Sequence, residues 1–410
     1  MTTFQHNLEK YAALVAKTGI NVQPGDTVVL QIAVDQAEFA RDMTAACYDL
    51  GAAEVIIKWQ DDDIDRINMQ HKAEDRLVNV PDFQKQEYDY WLANNAKRIS
   101  VMSSDPDNLK GLDGDRVAAV QKANGQAMLK VRQATQANKN SWIVIAAASP
   151  AWAKKVFPDM DEQAATDKLW TEIFKTTRVD KEDPILAWEQ HGKKLQAKAA
   201  ELNAAQYKAL HYTAPGTDLT IGLPENHIWM GGPSRSSDGR SFVANMPTEE
   251  VFSAADANNI DGYISSTKPL SYAGNTHNNM QFTFENGKVV KATAEEGNDV
   301  LQKLLQTDAG VKSLGEVALV PDPSPISQSK ITFYNTLFDE NASNHLALGS
   351  AYAFSIEGGT DMSEEELKAA GLNRSQAHVD FMVGSSQMNI DGLTHDGQIV
   401  PIFRNGDWAD

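Results

Sequence analysis

Near residue 206 the texture of the chain changes, and that change constrains the fold more than any other feature of the sequence. Before it, short apolar runs alternate with helical stretches. Thr27–Ala33 (TVVLQIA) predicts a strand, 37–50 a helix, 54–59 a second strand, and 98–102 and 142–148 (WIVIAAA) two more. Strands separated by helices predict a mostly parallel sheet covered on both faces. Residues 160–206 are polar and helical, with apolar positions at Leu169, Trp170, Ile173 and Phe174, and Pro184 opens a further helix that fades near Ala205. From Tyr207 onward the pattern becomes short alternating strands with Gly, Pro and Asn turns: LHYTA, DLTIGL and QFTFENGKVVKATA. The last predicts a hairpin centred on Asn286-Gly287, a dipeptide suited to a two-residue turn. The expectation is an α/β N-terminal domain over 1–205 with a mostly parallel sheet, followed by an α+β C-terminal domain over 206–410. A chain of 410 residues also exceeds the size at which one hydrophobic core usually stops growing.

A parallel sheet often binds nucleotides through a glycine-rich turn. Here TVVLQIA runs into VDQAEFARD with no glycine, and no GxxxxGK[ST] occurs, so the N-terminal domain reads as scaffold or lid. The balance of 56 acidic against 37 basic residues gives a net charge of −19 with no basic patch, which argues against nucleic acid as a partner. That field favours a cationic ligand such as a peptide's protonated amino terminus, although acidic surfaces also serve solubility alone. No run approaches the roughly 18 apolar residues of a membrane span, and the opening MTTFQHNLEKYAALVAKTG predicts an amphipathic helix rather than a signal peptide. The single cysteine, Cys47, rules out an intramolecular disulfide and suits a reducing compartment, so the expected location is the cytoplasm.

Six of the nine histidines fall after residue 206, and the most informative is in QAHVDFMVGSS. Read as a strand, its period of two puts His378, Asp380 and Met382 on one face and Val379, Phe381 and Val383 on the other. An imidazole and a carboxylate then project side by side, about 7 Å apart along the backbone, as two metal ligands would; a core histidine paired with an aspartate has the same spacing. PTEEVF places Glu249 and Glu250 beside apolar Val251 and Phe252, and SLGEVALVP sets Glu316 at the head of an apolar run. A carboxylate starting a buried strand is costly unless paired, protonated or bound to a cation; an exposed strand end avoids that cost. In NASNHLALGSAYAFS a helix would put His345 and Tyr352 on one face, and a close-packed turn is the alternative. Glu250, Glu316, His345, His378 and Asp380 would form an oxygen and nitrogen donor set without thiolate. That exceeds the ligand count of one tetrahedral zinc and suits two divalent ions sharing a carboxylate, with zinc, cobalt or manganese all acceptable.

At these segments the chain resembles the thermostable-aminopeptidase family of metallopeptidases, of the aminopeptidase T and aminopeptidase S types, and is most similar to the S type. The blocks that carry the resemblance are ANMPTEEVFSAAD, GEVALVP, FYNTLFDENASNHLALGSAYAFS and NRSQAHVDFMVGSSQMNIDG, with LEKYAALVAKTGINVQPGD near the start, and they extend it over essentially the whole chain. The resemblance implies Glu250, Glu316, His345, His378 and Asp380 as ligands of two divalent ions and Tyr352 as the catalytic tyrosine. Glu249 stays beside Glu250 as an adjacent alternative, and Glu316 and Glu249 are both candidates for proton transfer to the leaving amine. It further implies a homodimer acting on short peptides with a free amino terminus. Two other functions use similar features: a two-metal phosphoesterase, and a peptide- or metal-binding protein without turnover.

Overall fold

The computed structural model describes residues 3–272 and 275–409. The chain divides into two compact units, one of residues 1–190 with 233–247 and the other of 191–232 with 248–410.

In the first unit, four parallel strands lie in the order Glu54–Gln60, Thr27–Ala33, Lys97–Met102 and Trp142–Ala146. The second of these is a near-continuous apolar run, with Val28, Val29, Leu30 and Ile32 all buried, as expected of a strand covered on both faces. Helices alternate with the strands, among them Ala37–Asp49, Asp82–Ala93 and Gly114–Ala127. The helix Thr3–Leu14 buries Leu8, Tyr11, Ala12 and Leu14, an apolar stripe at helical spacing. Among the described residues, no helix is long and apolar enough to cross a membrane.

The second unit is built on antiparallel sheets. Its larger sheet has eight strands, in the order Lys288–Thr293, Gln281–Glu285, Ile260–Ser265, Thr217–Gly222, Ala209–Ala214, Asn389–Leu393, Ile399–Arg404 and Asp407–Trp408. The hairpin at its edge turns through Asn286 and Gly287, with φ of 49° and 81°. Positive φ at both central residues is what a two-residue hairpin turn demands.

A second sheet of five strands runs His378–Met382, His345–Gly349, Leu314–Leu319, Val251–Ala254 and Met230–Gly231, antiparallel throughout. One face joins the larger sheet in a common core: Val251, Val317, Leu319, Leu346, Leu348, Val379 and Phe381 meet Leu219, Ile221, Phe282 and Phe284. The rings of Phe282 and Phe381 lie 4.8 Å apart. Removing a ring such as Phe381 from this core would cost about 3–5 kcal/mol. With alternate residues committed to the core, Ala254, Glu316, Ala318, His345, Ala347, His378 and Asp380 must project from the opposite face. His345 therefore lies on a strand and not on the helix its spacing from Tyr352 suggested; all of His345–Gly349 is buried, which hides the period of two from the sequence.

Candidate metal centre

The cross-strand register sets the ligands. Ala254 pairs with Glu316, Glu316 with Ala347, and Ala347 with Asp380, giving one lateral row. The next row runs from Phe252 through Ala318 and His345 to Met382. Alanines at 254, 318 and 347, all buried, form a low floor between the polar side chains.

The register of the Glu316 strand shifts between Leu314 and Glu316, and a β-carbon on Gly315 would lie 2.4 Å from the Gly349 carbonyl oxygen. Gly349 itself has φ +104°, and a β-carbon there would meet the Ala377 carbonyl oxygen at 2.2 Å. Two glycines thus let three strands close up where Glu316 and His378 converge, a common use of a bulge beside a functional site.

The side chains form two groups that share Glu316: Glu250, Glu316 and His345, and Glu316, His378 and Asp380. His345 Nε2 is 3.1 Å from Glu250 Oε2 and 3.8 Å from Glu316 Oε1. His378 Nε2 is 3.7 Å from Glu316 Oε2 and 3.5 Å from Asp380 Oδ1. On the far side of each ring, Nδ1 meets a backbone carbonyl oxygen, Ser343 at 3.2 Å for His345 and Ser350 at 2.7 Å for His378. That contact fixes the ring and turns Nε2 toward the carboxylates, the usual support of a metal-ligating histidine.

Burial makes the cluster electrostatically demanding. It pushes the Glu316 carboxyl up to about 8, with Asp380 and Glu250 adding to the rise against His378 and His345. For His345, burial opposes the charge, but the hydrogen-bonded Glu250 carboxylate and Asp380 override it and lift the imidazole to about 10. His378 reaches about 10 in the same way, burial being outweighed by Asp380. Burial would raise Asp380, yet His378 holds it below the usual carboxylate range. Asp380 Oδ1 is buried and, beyond the His378 ion pair, makes no hydrogen bond. A carboxylate oxygen so placed, crowded acids and imidazoles aimed at a common centre all fit a divalent cation, which neutralises the excess of negative charge.

Tyr352 follows the His345 strand, and its ring is 5.1 Å from that of His378. Burial first, then the carboxylates of Glu316 and Asp380, hold its hydroxyl well above the usual tyrosine range. Its segment is held by Arg374, which donates from Nη1 to the Ala351 carbonyl oxygen at 2.8 Å and grips Glu364 through two contacts of 2.7 and 2.8 Å. Of the adjacent acidic pair, Glu250 belongs to a ligand group and Glu249 does not. Glu249 instead lies 3.4 Å from His191 Nε2, and its backbone N–H donates to Asn341 Oδ1 at 2.8 Å.

Sequence reasoning missed Glu340. Burial lifts its carboxyl well above the ordinary range, reinforced by Asp380 and Glu250, so it lies within electrostatic reach of the cluster, outside the two ligand groups. The signal was the acidic pair Asp339-Glu340 in FDENASNH, within one of the blocks that carry the resemblance. His191 was also passed over; besides Glu249, its Nε2 meets the Thr248 carbonyl oxygen at 2.8 Å, steadying the approach to Glu250.

With this geometry in hand, comparison with known proteins is specific. A family model described as thermophilic metalloprotease (M29) matches residues 4–408. The chain is 56% identical to aminopeptidase PepS of Streptococcus thermophilus over 410 residues, covering 100% of this chain and 99% of that protein. It is 40% identical to aminopeptidase T of Thermus aquaticus over 409 residues, covering all of both chains. The structure of wild-type AmpT from Thermus thermophilus is similar with a TM-score of 0.94 and 38% identity, again over 100% of each chain.

Proposed function

Because the chain belongs to the thermophilic metalloprotease family (M29), we propose that it removes single residues from the free amino end of short peptides, using two divalent ions. It is a metallo-aminopeptidase, a hydrolase of peptide bonds. The observation that carries the two-ion reading is the sharing of Glu316 between two ligand groups. Glu250 and His345 would complete one site, His378 and Asp380 the other, with Glu340 beside them. Zinc, cobalt and manganese all suit such a donor set. When bound, the ions lower the pKa of a water toward neutrality and polarise the scissile carbonyl.

The chain's own residues supply the rest. The net charge of −19 favours approach of a peptide's cationic amino end, which would bring the first bond to the cluster. The Tyr352 hydroxyl, kept protonated by burial and then by its acidic surroundings, donates a hydrogen bond to the oxyanion that forms as the carbonyl is attacked. A carboxylate then carries the proton to the leaving amine. Glu316, within the cluster, and Glu249, beside His191, are the candidates.

Residues 206–410 would carry this chemistry and 1–205 the scaffold, in a cytoplasmic homodimer; the lone buried Cys47 is in keeping with a reducing compartment. The phosphoesterase alternative gains no support from Arg374, the basic residue of the motif blocks after 313, which is committed to Glu364 and to Ala351. The experiment is removal of metal with chelator, re-addition of zinc, cobalt or manganese, and assay of leucine amide beside N-acetylleucine amide. Metal-restored cleavage of the free-amine substrate alone is the expected result. Cleavage of both, or of neither by protein that has taken up metal, would refute the reading.

A further inference from the structure

Three aromatic side chains beside the ligand cluster form a corner whose use the mechanism leaves open. Tyr352 and Phe354 stack with centroids 5.0 Å apart and planes 6° from parallel. Phe252 meets both edge-on, its centroid 6.3 Å from Tyr352 and 6.4 Å from Phe354. Phe252 stands two residues after Glu250, so alternation puts the two side chains on the same side of the chain. Neither phenylalanine belongs to the core between the sheets or to the smaller apolar cluster of Ala254, Ala351, Ile356, Leu367 and Leu372. Phe252, Tyr352 and Phe354 all remain partly accessible.

We propose that Phe252 and Phe354, with the ring of Tyr352, form the wall on which the side chain of the substrate's first residue packs, and that they select flat or branched apolar side chains there. The inference rests on the aminopeptidase reading above. A substrate whose first peptide bond is cleaved at the ligand cluster has its first Cα one bond from the scissile carbonyl, so its first side chain must lie within one side-chain length of the ligands. Tyr352 satisfies that condition, 5.1 Å from the His378 ring, and Phe354 and Phe252 extend the wall from it at 5.0 and 6.3 Å. Their arrangement offers an incoming ring both a stacked and an edge-on contact, the two geometries that aromatic pairs prefer. An acidic first side chain would lay its charge against apolar rings, and an alanine would leave the corner unfilled.

The test uses the metal-loaded full chain and its F252A, F354A and F354L variants, with kcat/KM measured for phenylalanine amide, leucine amide and alanine amide. The readout is the preference for phenylalanine over alanine amide. It should fall about tenfold or more in F252A and F354A, chiefly through KM, and be partly kept in F354L. If F354A does not fold, F252A and F354L decide the matter. An unchanged preference in variants that still bind metal overturns the proposal. So does an unchanged preference accompanied by a shift in oligomeric state, which would assign the rings to contact with a second copy of the chain. Failure of the aminopeptidase reading would look different: wild-type protein would hydrolyse none of the amides.

Discussion

Asp380 stands directly across Ala347 from Glu316, the three residues paired in register on adjacent strands. The methyl group between them leaves the space over the strand that two carboxylates need to reach a common cation. Ala347→Val should therefore fold with a modest loss of stability, on the order of 1–3 kcal/mol from overpacking, yet lose metal out of proportion. Denaturant unfolding of the metal-free protein, set beside metal content after dialysis, separates the two effects.

Without metal, the cluster holds its protons tightly: Glu316 titrates near 8 and His345 and His378 near 10. At pH 7 all three are mainly protonated, whereas metal ligation requires neutral imidazole and ionised carboxylate. Metal uptake should release protons, and affinity should rise with pH up to about 10, less steeply once Glu316 has ionised near 8. Calorimetric titration in buffers of different ionisation enthalpy measures the release, and a buffer-independent heat would contradict these protonation states.

Tyr352→Phe keeps the ring that stacks on Phe354 and removes only the hydroxyl. Metal content should be unchanged while kcat falls roughly 10²–10³-fold, the usual loss for one oxyanion donor. Normal turnover in this variant would remove Tyr352 from the mechanism.

Gly349→Ala tests how the strands converge. Its φ of +104° and the 2.2 Å approach to the Ala377 carbonyl oxygen leave no room for a β-carbon. The variant should lose stability, by about 1 kcal/mol or more for the backbone conformation alone, and should bind metal less well because Gly349 pairs with His378. A thermal melt with and without added metal reads both.

What the sequence discloses is mostly local. The parallel strands and the Asn286-Gly287 turn are legible because each depends on a period or a dipeptide within a few residues. His378 and Asp380 are legible for the same reason, since Val379 and Phe381 must face the core. His345 misleads because its strand is buried on both faces and carries only small and apolar neighbours, leaving no alternation to read. Glu340 is missed because it lies in a short 3-10 turn, Glu340–Ala342, where no period marks its direction. Glu249 and Glu250 are indistinguishable in sequence; in the structure Glu250, next to the strand that starts at Val251, falls in a group that could hold an ion and Glu249 does not.

The central claim is that Glu316 joins two metal sites. The direct measurement is metal content per chain, by elemental analysis after reloading and dialysis, for the wild type, Glu316→Gln and His378→Ala. Two ions in the wild type, about one in His378→Ala and fewer than one in Glu316→Gln is the predicted result. A single ion in the wild type, or two retained in Glu316→Gln, would contradict the account.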